Sequence, residues 1–188
     1  SRVQTVSQQI TEVKQLQALT KKKLQIFRDE ESRKKTELEK AALEQKKEIE
    51  NIRGKLEQLK QDAGDLALQL QMVTCEKDGV LQGIEALKLQ KPGLFSRRKY
   101  KTAFAEKNRQ YSEQLQIVID KERKLRTGLL EGERQEKSFR EEIGKRIKQS
   151  EAEQAAFMEW ERTQSAEIRR CADKIVGLRE KLQGSDIH

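Results

Sequence analysis

The sequence predicts an all-α fold, a long antiparallel two-helix coiled-coil hairpin. Three observations carry this: a charged, proline-poor composition, a heptad stripe that runs almost without interruption, and one Pro-Gly break close to mid-chain. Of the 188 residues, 38% are charged, 34% are hydrophobic and only 4% are aromatic, and there is a single proline. A compact domain of this length fills one core with more aliphatic and aromatic side chains than that. The bias to Ala, Glu, Lys, Leu, Arg and Gln suits long helices that each bury one stripe. Intrinsic disorder is the competing reading of such polarity, and periodicity decides against it.

The first arm has the clearest pattern. Ile49, Ile52, Leu56, Leu59, Ala63, Leu66, Leu70, Val73, Lys77, Val80, Ile84 and Leu87 follow one another in steps of three and four, with Lys77 the only polar member. A helix that places these on one stripe needs a partner to cover it. The run stops at Lys91-Pro92-Gly93. Pro92 disfavours a helical Lys91, Gly93 permits a left-handed turn, and Ser96 suits the cap of a new helix. The expected organisation is a first helix over 1–91, a turn over 92–96 and a second helix over 97–185. Each arm, of about 90 residues, would span roughly 135 Å.

The second arm carries its own seam: Phe104, Asn108, Tyr111, Leu115, Val118, Glu122, Leu125, Leu129, Gly132, Glu136, Phe139, Ile143 and Ile147, continuing through Phe157, Ile168, Cys171, Ile175, Leu178 and Leu182. With the fold-back at Pro92-Gly93, seam residues face one another where their numbers add to about 184. That register pairs Val80 with Phe104, Val73 with Tyr111, Leu66 with Val118 and Leu56 with Leu129. Toward the termini it pairs Phe27 with Phe157, Ile10 with Ile175 and Val3 with Leu182. It also aligns two heptad stutters, Lys34-Leu38-Ala42 and Phe139-Ile143-Ile147, which would unwind both helices at one level. Polar layers then fall at Lys77/Asn108, Thr20/Gln164, Glu31/Gln154 and Lys34/Ser150. Gly54 and Gly132 fall nearly opposite each other, with Gly64 and Gly128 nearby. These four glycines are the candidate hinge, because each mid-helix glycine costs about 1 kcal/mol against alanine. Close packing of another element is the alternative use for them.

No constellation of catalytic, metal-ligating or cofactor-binding residues emerges. His188 is the only histidine, Cys75 and Cys171 have no metal spacing, and Gly79 to Gly83 lacks the lysine of a phosphate loop. The expectation is a non-enzymatic chain with no cofactor. No apolar run is long enough to span a membrane and no signal segment is present, so the expected setting is cytoplasmic, with no membrane partner. Two apolar groups lie off the seam: Leu68, Met72 and Cys75 facing Ile117, and Ile26, Met158 and Trp160 near the Phe27/Phe157 layer. They would either widen the seam or dock a parent domain or second hairpin.

Charge is uneven at one place. Between Glu85 and Glu106 there is no acid, yet Lys88, Lys91, Arg97, Arg98, Lys99 and Lys101 all fall there, against a net charge of +8 for the chain. Arg97 to Lys101 would stand at a helix N-terminus, where the macrodipole disfavours cations. A polyanion, either nucleic acid or an acidic protein surface, accounts for that placement better than the turn does. Phe95 and Tyr100, interleaved with the cations, are expected to pack over the turn rather than to stack on bases.

The stretch Lys91-Pro-Gly-Leu-Phe-Ser-Arg-Arg-Lys-Tyr-Lys101 resembles the turn of helical hairpins inserted in some bacterial superfamily I helicases. The tryptophan usual after the basic run is absent, with Tyr100 or Phe104 nearest. The resemblance implies a coiled-coil stalk that helps a motor engage nucleic acid or partners, the motor and other parent-protein domains flanking this chain. An architectural arm of a chromosome-organising ATPase and a parallel-dimer scaffold are the competing expectations, and self-association of hairpins is compatible with each.

Overall fold

The computed structural model describes residues 2–186, in two helices. His188 lies outside the described residues. Helix α1 runs Arg2–Leu89 and helix α2 runs Arg98–Asp186, and the two pack against each other as an all-α hairpin. Helix-forming residues and the absence of proline outside position 92 let each continue unbroken. Ion pairs one turn apart support each helix along its length, among them Arg126 with Glu122 at 3.3 Å and Arg140 with Glu136 at 2.7 Å. The carboxylate precedes the cation in both, the orientation that suits the helix dipole. No helix among the described residues is long and apolar enough to cross a membrane.

Packing divides the chain into two compact units. One comprises the described parts of Ser1–Ile49 and Gly144–His188, the other Glu50–Ile143, which contains the turn. In the turn unit the α1 seam is as expected: every position from Ile52 to Leu87 is buried or half-buried, Lys77 included. On α2 Val118 is the deepest side chain, only 2% exposed.

The register between the helices differs from the expected one. Tyr111 lies against Gly83, not Val73. Leu66 meets Gly128, not Val118, and Lys55 lies over the Phe139 ring at 5.9 Å. Lys77 bonds Glu122 at 3.3 Å instead of facing Asn108, which is exposed. A seam repeating every 3.5 residues meets its partner again after each slip by half a heptad, so periodicity admits several registers. The turn selects among them. Residues 90–97 do not reverse tightly at Pro92-Gly93; Lys101 Nζ donates to the Leu94 carbonyl at 3.0 Å, so the loop climbs beside the start of α2. Pairing therefore begins with Gln90 beside Phe104, after α2 has advanced six residues, or about 9 Å.

The terminal unit shows the same displacement. Trp160 stacks on Phe27 with ring centroids 5.4 Å apart and on Phe157 at 6.0 Å. Lys34 sits over the Trp160 ring at 5.0 Å, not opposite Ser150. The stutters do not meet: Leu38 shares a groove with Ala156 and Phe157, and Arg146 donates to Gln45 at 3.1 Å. Val3 and Ile10 are exposed, whereas Val13 and Ile175 are buried. Trp160 thus covers the stretch of α1 from Arg28 to Glu37, which contains no apolar side chain.

Two glutamates on these inner faces respond to pH in opposite directions. Desolvation raises the Glu122 carboxyl, but hydrogen bonds and charge from Lys77 and Arg126 outweigh it and hold the group below its ordinary value. Glu161 is held above its ordinary value, first by desolvation, then by a hydrogen bond to Glu31 and that group's charge, against the opposing charge of Lys35. The fold therefore favours ionised Glu122, a contribution present above the unfolded pKa and lost as pH falls through the lowered one. It favours protonated Glu161, a contribution present below the unfolded pKa and lost as pH rises through the raised one.

Two experiments check this architecture. With Cys75 and Cys171 replaced by serine, Leu66→Cys should crosslink within one chain to Gly128→Cys. It should fail to reach Val118→Cys, about 15 Å further along α2. In thermal melts across pH, Glu122→Gln should lower the midpoint at neutral pH and lose that effect in acid well below the ordinary glutamate range. Glu161→Gln should raise the neutral midpoint and matter less as acid protonates the native residue.

Candidate functional site

The candidate site is the turn with the helix ends that flank it. After Leu89 the chain makes a last tight turn, Gln90 N donating to Leu87 O at 3.0 Å, before Pro92 ends the donor series. Ser96 N donates to Gly93 O at 3.1 Å, which makes Leu94 and Phe95 the two central residues of a β-turn. No glycine among the described residues has a positive φ, so the left-handed conformation expected of Gly93 is not used. Arg97, not Ser96, opens α2, its carbonyl accepting from Tyr100 N at 3.0 Å and Lys101 N at 3.3 Å. The first helix ends two residues before the expected boundary, and the second begins one residue after it.

Half-buried Pro92 and Phe104 close the end of the seam on their own. Phe95 does not pack over the turn; it is 101% exposed, and Leu94 is 89% exposed. Tyr100 is likewise mostly in water, at 64%, and Leu89 is 90% exposed. The expectation that the two aromatics cover the turn is thus overturned, because Phe104 already occupies that place.

All six candidate cations are exposed. Lys88 pairs with Glu85 at 3.2 Å, and Lys101 is held by the Leu94 carbonyl. Among the described residues no ion pair involves Lys91, Arg97, Arg98 or Lys99. The nearest acid further along α2, Glu106, is occupied by Arg109, whose hydrogen bonds and charge hold it below its ordinary value. Arg109 in turn bonds Glu113 at 2.8 Å. The first turn of α2 contains no acid, so the helix dipole adds to the positive field of the cations.

The hinge candidates are rearranged by the register. Both helices pass through Gly54, Gly64, Gly128 and Gly132 unbroken. Because Leu66 meets Gly128, Gly64 replaces Gly54 near the level of Gly128 and Gly132. A Cβ at Gly54, Gly64 or Gly132 would meet nothing within 4 Å, and one at Gly128 only Leu66 Cδ1 at 3.4 Å. Close packing instead requires Gly83, where a Cβ would lie 2.7 Å from Tyr111 Cε1. The lateral strip of Leu68, Met72, Cys75 and Ile117 is exposed, so it does not widen the seam. Near the Phe27 layer Trp160 turns inward while Ile26 and Met158 stay exposed.

In urea melts Gly54→Ala should stabilise the fold by up to about 1 kcal/mol, since it adds helix propensity in open space. Gly83→Ala gains the same propensity but must displace the Tyr111 ring. It should therefore stabilise less than Gly54→Ala, by the cost of moving the hydroxyl end of Tyr111.

In comparisons with known proteins, no family model and no curated protein matches this chain.

Proposed function

We propose that this hairpin is a non-enzymatic arm of a larger protein, a spacer and interaction element whose basic tip engages a polyanion. The stalk of a nucleic-acid motor is its nearest counterpart. One observation carries the reading. The segment between Glu85 and Glu106 has six exposed cations and no acid, and Lys91, Arg97, Arg98 and Lys99 have no ion-pair partner among the described residues. Elsewhere the exposed charges are mixed in sign and many are paired along their own helix. Cations collected at a helix N-terminus raise the free energy of the isolated hairpin slightly, and a bound anion reverses that sign. The resemblance of Lys91 to Lys101 to helicase insertions points to nucleic acid as the polyanion.

The test is the triple change Arg97→Gln, Arg98→Gln and Lys99→Gln. Lys101 is left alone because it holds the turn through Leu94. Helicity by circular dichroism should be unchanged. Affinity for a DNA duplex should fall, and the log–log salt slope should shrink by about 0.9 for each phosphate that the variant no longer neutralises. The control Lys21→Gln, Lys22→Gln and Lys40→Gln removes three exposed cations elsewhere and should do much less. Equal losses in the two variants, or no salt-sensitive binding by the native chain, would refute the reading.

A further inference from the structure

We infer that the tip recognises single-stranded nucleic acid, with Phe95 the stacking platform for an unpaired base and Tyr100 a second aromatic beside the cations. This rests on the polyanion reading above and adds the class of polyanion. A turn needs no large side chains at its two central positions; Gly, Asn, Asp and Ser serve there at less cost. Here those positions hold Leu94 and Phe95, both almost wholly in water, while Pro92 and Phe104 close the seam without them. The fold leaves Phe95 with no packing role, so its ring is available to a partner.

Two physical contrasts select the partner. Protein interfaces are depleted of lysine and keep charge to their rims, whereas nucleic-acid interfaces are far more positively charged. The tip sets Arg97, Arg98 and Lys99 soon after the exposed ring and Lys91 shortly before it, with no acid among them. Between duplex and single strand, the exposed ring decides. Wedging a ring into a duplex carries an unstacking cost of a few kcal/mol per step, while an unpaired base offers its face without it. Aromatic platforms set in a basic surface are the means by which proteins hold single strands.

Fluorescence anisotropy with a labelled oligothymidylate and a duplex of equal length, at low salt, tests this on the whole chain. The native protein should prefer the single strand. Phe95→Ala should weaken single-strand binding by roughly five- to a hundredfold, the effect of losing one base stack. Duplex binding and helicity should not change, because the residue is fully exposed. Phe95→Leu should behave like Phe95→Ala, since leucine keeps apolar area but has no π-face, and Phe95→Trp should retain binding. Equal affinity for strand and duplex, indifferent to Phe95→Ala, would overturn the stacking role and leave the polyanion reading standing. Full binding by Phe95→Leu would also overturn it, since leucine has no π-face to stack on a base. No binding to either probe would overturn both readings.

Discussion

The tip depends on how far α2 is displaced along α1 in the turn unit, and the Tyr111 ring against Gly83 is the contact that fixes this displacement most closely. The ring lies where a Cβ at position 83 would be, so no other residue at that position leaves it in place. Lys77 reaches across to Glu122, five residues past the position that this offset sets opposite it, and the Glu122 side chain is only 16% exposed. A partly desolvated pair of this kind lowers stability relative to an apolar layer, yet it penalises any slip that would leave either charge alone. Geometric fit and charge thus pick one register from a set that the apolar seam leaves nearly equivalent.

The form of the tip and that register go together. Seam pairing starts at Phe104, so the first turns of α2 extend past the last paired level, and the loop climbs beside them. Phe104 and Pro92 close the end of the seam. Leu94 and Phe95 are displaced to the outside of a β-turn, and the cations of Arg97 to Lys99 stand on the unpaired start of α2. Apolar and basic groups share this surface because the chain must climb before it can pair. A tight reversal at Pro92-Gly93 would have brought Phe95 over the seam.

A two-helix seam buries few residues completely; Val13, Ile52, Leu87, Val118 and Ile175 are the buried apolar ones among those described. Stability is therefore spread thinly, and individual layers carry visible compromises. In the terminal unit Trp160 reaches over a charged stretch of α1, stacked on Phe27 and beneath Lys34. Beside it desolvation, and then the neighbouring Glu31 carboxyl, favour a protonated Glu161. Polar layers in such a seam act on register and pH response more than on total stability.

By itself the sequence determined the fold class, the break around Pro92, the α1 seam from Ile52 to Leu87 and the location of the unbalanced charge. Each is a local property, set by periodicity, by the missing donor of proline or by composition. The members of the Lys77–Glu122 pair were legible as seam positions, and opposite charge was the one signal that could have matched them. Register, the exposure of Phe95 and the close approach at Gly83 were decided only by the tertiary structure. The physical reason is the half-heptad degeneracy of a coiled coil: apolar spacing reads the same after each slip. What breaks the tie is the path of an eight-residue turn, residues 90–97, and the shape of one aromatic ring against one glycine.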